Sequence, residues 1–471
     1  MAPRTADERT ALLATPGCDL DNPLNWPRRV KWRIVAVLFF ASFTVTANCM
    51  AVMPVARHIV NDLADAPATT SSTPVLLVTI WELGEAAGPL LIGPLSEVAG
   101  RYAIVNAAGA LFALSTLLAA LARSVPQLIA ARALTGMAVA SNVLNPAIVG
   151  DLFPPEERGA AMSLIMFAPL LGGTVGPALA GFLAETCGWR ALLFCCVLLA
   201  AAAELAFLFA FRETYHLVIA RRRVVLQGQD PKKTARPRRH GLGVSVLRPA
   251  VVLLRSGVVA ALALFGSVVF ALIYVLAVSM PVVLEDVYRL SPRHIGFAFL
   301  ANALGAMFSV LFCKLALDRV YVRLRDANHG LGLPEHRLPM CIIGALTLPP
   351  ALALYGWCAH FRLPLALFIA AVICMRFSIL LVLIPLMAYV VDACAIYSAS
   401  ALTGVIVLRC LSGAFVPLAM APAVDALGYG WAFTTLALVC LALALVPLAV
   451  QRYGQTWRRS SPFTSDGATD P

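Results

Sequence analysis

The sequence predicts an all-α integral membrane protein whose twelve transmembrane helices form two pseudo-symmetric six-helix bundles. Three observations carry this. Of the 471 residues, 60% are apolar and 13% charged, and the mean hydropathy is +0.84. A soluble domain has roughly 45–50% and about 25%, and a disordered chain is poorer still in apolar residues. The apolar residues come in continuous runs near the ~20 residues a helix needs to cross the hydrocarbon, not in the alternation of barrel strands. Finally, the second half of the chain repeats landmarks of the first.

Twelve runs qualify as spans: 34–55, 73–95, 103–122, 128–149, 161–184, 190–211, 258–283, 296–316, 340–357, 364–391, 400–424 and 430–450. Residues 1–33 are polar and carry six Lys/Arg, with no cleavable signal pattern, so span one reads as its own start signal with a cytoplasmic N-terminus. With both termini inside, 27 of the 36 Lys/Arg fall in inner segments, six in outer ones, and three (Arg132, Arg376, Arg409) deep in spans. That is the positive-inside bias. The chain divides into a cytoplasmic segment 1–33, bundle 34–211, basic linker 212–257, bundle 258–450 and cytoplasmic tail 451–471. The linker holds Arg221-Arg222-Arg223 and Lys232-Lys233 and reads as a flexible segment that helps set orientation, or as a contact for anionic lipid. The net charge of +11 belongs to such loops; no nucleic-acid module is present, so a nucleic-acid partner is not expected. Twelve cysteines show no metal spacing and lie mostly in apolar runs, as small buried hydrophobes do. Neither metal nor cofactor is expected.

The repeat is read from three landmarks. Asp151 and Asp392 end spans four and ten, 241 positions apart; Pro177 and Pro417 lie in spans five and eleven, 240 apart; Gly188-Trp189 and Gly430-Trp431 precede spans six and twelve, 242 apart. A parallel repeat of this kind places a pseudo-twofold along the membrane normal and a cavity between the halves.

Between spans two and three runs Gly93-Pro-Leu-Ser-Glu97-Val-Ala-Gly100-Arg101-Tyr102. It reads as a tight inner loop in which Gly93 and Gly100 allow close approach and positive φ. Glu97, Arg101 and Asp151 would then form a charged latch between helix bundles that breaks on switching, or a passive ion pair that fixes topology. In span two, Glu82 and Glu85 share a face at i, i+3. An ionised acid at membrane depth costs several kcal/mol unless paired or hydrated, so either is a candidate proton carrier, unless both snorkel to the outer surface. Arg132 near the outer end of span four cannot titrate and would act on a neighbouring carboxylate. Asn48, Asn142, Asn145, Glu204 and Arg376 are candidate cavity groups, the asparagines alternatively interhelical hydrogen bonders. Asp392, the counterpart of Asp151 in the second half, is a further latch candidate and could pair with Arg409. Trp81, Phe167, Tyr274 and Phe377 could line an apolar site, or simply pack.

The 93–102 segment resembles the signature loop of the major facilitator superfamily, and further segments resemble its fungal drug:proton antiporter family. These are Asp21-Asn-Pro-Leu-Asn25-Trp26-Pro27, Glu82-Leu-Gly-Glu85-Ala-Ala-Gly88, Arg132-Ala-Leu-Thr-Gly136 and Pro169-Leu-Leu-Gly172-Gly173-Thr-Val-Gly176-Pro177-Ala-Leu-Ala-Gly181. The chain departs from the pattern at Tyr102, where a basic residue is usual, and at Arg212, where a proline is. The resemblance implies a proton-coupled, monomeric exporter of small amphipathic compounds with Arg132 tied to coupling. Through Gly172, Gly173, Gly176, Pro177 and Gly181 it implies antiport. A plasma-membrane home, or a vacuolar one, goes with it. An importer or polyamine transporter of the same fold and a non-transporting receptor are the alternatives. No HExxH, GxSxG or Walker pattern points to an enzyme or an ATP-driven pump.

Overall fold

The computed structural model describes residues 22–63, 72–154, 157–215, 218–219, 242–330, 332–394, 398–459, 461 and 464. Helix accounts for nearly all of them, as hydrocarbon demands, because a helix satisfies every backbone donor and acceptor within its own segment. Among the described residues, ten helices are long and apolar enough to cross a membrane. One of these, Ser400–Arg459, folds back at Gly428 (φ 72) and so supplies spans eleven and twelve. Span four crosses as two shorter helices.

The described residues begin with a capped turn. Asn22 accepts from the Leu24 amide at 3.1 Å, Pro23 opens the 3-10 turn Pro23–Asn25, and Lys31 donates to the Leu24 carbonyl at 2.7 Å. The Asn-Pro-Leu-Asn-Trp-Pro motif is thus a plug on the base of span one (Arg28–Ala51).

Spans two (Ser72–Ala99), three (Arg101–Ala120), five (Arg158–Thr186) and six (Trp189–Ala210) follow the expected runs. So do seven (Gly257–Asp286), nine (Leu338–His360) and ten (Leu365–Cys394). Four expectations need correction. Span four is not continuous: Val125–Met137 and Ser141–Leu152 are separated at 138–140. Gly136 weakens the helix just before the break; Pro146 lies farther on, inside the second helix. The inner loop after span two shrinks to one residue: Gly93 is helical, and Gly100 (φ 98) alone makes the turn. Span eight (Pro292–Ala327) runs 36 residues, well past the hydrocarbon. The linker is not all loop, since Leu242–Arg255 is a helix leading into span seven; 220–241 lie outside the described residues.

The repeat is sharper in three dimensions than in sequence. Gly188 (φ 83) turns span five into span six, and its conformational counterpart is Gly428, not Gly430. The spacing is then 240, the same as between Pro177 and Pro417.

Spans one to six pack together, as do seven to twelve; across the seam span two meets span eleven and span five meets span eight. We call the end carrying Arg28 and Arg459 the termini end and the opposite one the distal end. A large apolar core fills the second half and continues across the seam at the distal end into Val52, Val55, Ile59, Leu128 and Leu192. A smaller one, around Ile34, Leu38, Ile148 and Phe211, fills the first half toward the termini end.

Candidate functional site

Span two brings its two acids to the seam because its other side is glued to span four by small residues. A methyl group on Gly84, Gly88 or Gly136 would strike the carbonyls of Ala133, Met137 or Trp81 respectively. Such close backbone approach is the usual basis of helix packing in lipid, and it fixes the rotation of span two. Glu82 and Glu85 are consequently buried, at 1% and 7% exposure, rather than snorkelling to the surface. Glu85 accepts from Trp81 Nε1 at 3.2 Å, and its other oxygen lies 3.8 Å from Arg409 on span eleven, across the seam. The Arg409 guanidinium sits over the Phe270 ring at 4.5 Å. Glu82 lies against Tyr274 and Cys410 of the second half, and its Oε2 has no hydrogen-bond partner among the described residues. Room for it comes from Gly413, where a Cβ would stand 3.2 Å from that oxygen.

Arg132 is buried (2%) but pairs with no carboxylate among the described residues. It donates to the Asn48 and Cys49 carbonyls at 3.3 and 3.0 Å and stacks on Trp81 at 4.8 Å. Those carbonyls belong to the last turn of span one, where intrahelical partners run out, so a guanidinium there completes the helix end and complements its dipole. Arg132 reaches Glu85 only through the shared Trp81. Arg409, expected to pair with Asp392, is the arginine that meets an acid of this layer.

The asparagines tie the first half together: Asn48 donates to Thr116 at 3.2 Å and Asn145 to Ser42 at 2.6 Å. The Asn142 side chain lies outside the described residues. Glu204 is not at the seam. It lines a cavity inside the first half with Thr44, Phe112, Ser141 and Asn145 and abuts Gly109. Arg376 sits on span ten against Gly305. Trp81 and Tyr274 join the site; Phe167 is exposed, and Phe377 packs on Phe312 at 5.9 Å, away from it.

At the termini end the expected latch is assembled within one half. Arg101 Nε is 3.4 Å from Asp151, its Nη1 meets Ser96, and the guanidinium covers Tyr215 at 5.0 Å. Ser96 in turn donates to the Gly93 carbonyl at 2.6 Å. The Glu97 side chain lies outside the described residues. Sequence reasoning missed Glu213, whose carboxylate accepts from the amides of Arg101 (2.9 Å), Tyr102 (3.2 Å) and Tyr215 (3.0 Å). It caps span three, supplying an acid where helix amides are unpaired. In the second half Asp392 pairs with Arg337 at 2.9 Å, and Arg337 also holds Asp318 at 2.9 Å. Arg458 is buried against Glu335 at 2.8 Å.

Apart from Glu85 and Arg409, the charged contacts between the halves among the described residues gather at the distal end. Arg57 meets Asp286 at 2.8 Å, His58 approaches Glu285 at 4.0 Å, and Glu185 accepts from Ser291 and the Arg293 amide at 3.0 and 3.1 Å. The glycine motif of span five serves two seams. Gly172 and Gly176 let span five lie on the backbone of span one at Phe43 and Ala47, Gly173 packs more loosely on Thr46, and Gly181 meets Pro292 and Gly296 of span eight. Pro177 presents its carbonyl to Gly296. This distal closure leaves the acid layer beneath a shut end.

The sequence model of the Major Facilitator Superfamily matches residues 38–417. The chain is 31% identical over 455 residues to "Efflux pump radE" of Floropilus chiversii, covering 94% of this chain and 84% of that protein. It is 32% identical to "MFS-type transporter atr4" of Stereocaulon alpinum, covering 95% and 82%. Among solved structures, a D-xylose-proton symporter superposes with a TM-score of 0.70 at 17% identity, over 88% of this chain and 97% of that one.

Proposed function

The chain belongs to the major facilitator superfamily, and from that premise we propose that it is a proton-coupled exporter of small amphipathic organic compounds working by alternating access. It is a multi-pass membrane transporter and not an enzyme. The observation that carries proton coupling is the pair Glu82 and Glu85: two buried acids at the seam, one beside an arginine of the opposite half and one whose Oε2 has no hydrogen-bond partner among the described residues. A group that must gain or lose its partner when the halves move can exchange a proton at each turn of the cycle. Export is favoured by the likeness to an efflux pump.

In this reading 34–211 and 258–450 are the two rocking units, acting as a monomer. The basic termini end faces the cytoplasm, by the positive-inside bias, and the shut distal end faces outward at the plasma membrane. The conformation is then the one that loads cargo from inside. The test is flux in proteoliposomes under an imposed pH step. Glu82→Gln and Glu85→Gln are expected to abolish pH-driven flux while leaving expression and folding intact. Undiminished flux in both single variants and in the double would sink the carboxylate role, and reversing the pH step separates export from import.

A further inference from the structure

We propose that Arg376 is a cargo-binding residue that receives the acidic head of an amphipathic, aromatic organic anion. The inference deepens the proposed function, resting on the reading that cargo passes between the two halves, and it adds a substrate class.

Five charged side chains stand at membrane depth near the seam: Glu82, Glu85, Arg132, Arg376 and Arg409. Glu85 has Trp81 and Arg409. Arg132 has two carbonyls. Glu82 has Tyr274 and Cys410 beside it. Arg132 and Arg409 each leave only Nε buried without a hydrogen-bond partner among the described residues, whereas Arg376 leaves two nitrogens so. Its Nε and Nη1 are buried without a hydrogen-bond partner among the described residues, and no acid is paired with it there. The titratable group that bears on it is the Tyr274 phenol, which also hydrogen-bonds Glu82.

An arginine keeps its proton under all cellular conditions and is built to grip carboxylates with its planar fork. Held at membrane depth without a counter-charge it is costly, and such groups mark substrate or ion pathways. Two acids against three arginines leave the layer short of one negative charge, which a cargo would bring.

The surroundings say what else the cargo carries. Span eight approaches span ten through Gly305, where a methyl would sit 2.5 Å from the Ile373 carbonyl and 3.0 Å from Arg376 Cβ. One turn back on span eight, in the direction a helical side chain leans, Asn302 has its own Oδ1 buried and unpartnered. Its amide can serve the second oxygen of an acid group. Phe270 and Tyr274 form a ring pair at 5.9 Å, with Arg409 over the first and Arg376 beside the second. Two aromatic faces flanked by two guanidiniums suit a flat body bearing a carboxylate or ionised phenol. An anion is also driven out of an inside-negative compartment by the membrane potential, which accords with export.

The experiment is equilibrium binding to the purified full-length protein, followed by tryptophan fluorescence with no gradient present. The probes are 2-naphthoate, 9-anthroate and their methyl esters. The wild type is expected to bind each acid about tenfold or more tighter than its ester, the range of a charge-assisted hydrogen bond. Arg376→Gln should erase that preference while keeping ester binding, which also shows that the variant is folded; Arg376→Lys should keep part of it. Equal binding of acid and ester by the wild type, binding of neither, or an undiminished preference in Arg376→Gln overturns the proposal. Retained preference with lost pH-driven flux would instead make Arg376 a partner of Glu82 in the opposite state. Because binding is read without a gradient, failure here is separate from failure of proton coupling, which the Glu82 and Glu85 variants report.

Discussion

The two ends of the molecule use charge in opposite ways. At the distal end charged side chains reach across the seam, Arg57 to Asp286 and Glu185 to the Ser291 hydroxyl and Arg293 amide that open span eight. At the termini end the charges close on their own half: Arg101, Asp151 and Glu213 in the first, Arg337, Asp392, Glu335 and Arg458 in the second. The difference teaches that the seam is shut by backbone contact at glycines and by an apolar core, with exposed ion pairs as trim. The termini-end clusters instead build the internal stiffness of each half.

Four substitutions would break or sharpen that contrast, in falling order of effect. Arg458→Ala removes a buried partner and strands Glu335; breaking such a pair costs about 3–5 kcal/mol, and the expected outcome is a large drop in the melting temperature of the purified protein. If the melt is unchanged, Glu335 is not held in the way described. Gly181→Leu drives a side chain into Pro292 and Gly296. Overpacking costs ~1–3 kcal/mol, here charged only to the distal-closed state. Spin-label distances between positions 57 and 286 should therefore lengthen, with global stability nearly kept; an unaltered distance distribution would remove Gly181 from the closure. Glu213→Ala uncaps span three at about 1–2 kcal/mol, read as earlier hydrogen exchange at the Arg101 and Tyr102 amides. Arg57→Ala deletes an exposed pair worth ~0.2–1 kcal/mol and should shift neither melt nor flux by more than a small margin. A strong loss of flux there would promote the ion pair from trim to gate.

Much of the fold was legible because hydropathy and charge bias act over whole segments, where single-residue errors average out. The break at 138–140 was not, since the segment stays apolar throughout and hydropathy is blind to a few residues leaving the helix. The site was legible in part. Glu82 and Glu85 announced themselves as acids in an apolar run. What they touch depends on the rotation of spans seven and eleven, which a sequence of uniformly apolar residues does not encode; hence Arg409 was matched to the wrong acid and Gly413 passed unnoticed. Glu213 was read only as the start of the linker, because its partners Arg101 and Tyr102 lie more than a hundred positions away. Arg132 stood out by residue type, but its role at a helix end needed the position of span one.

The one- or two-residue elbows at Gly100, Gly188 and Gly428 carry a mechanical consequence. A joint that short has no slack, so spans two and three, five and six, and eleven and twelve cannot slide past one another along their axes. Each couple must tilt as one lever, and whatever opens the shut end has to travel as rotation of whole levers rather than as the stroke of a lone helix.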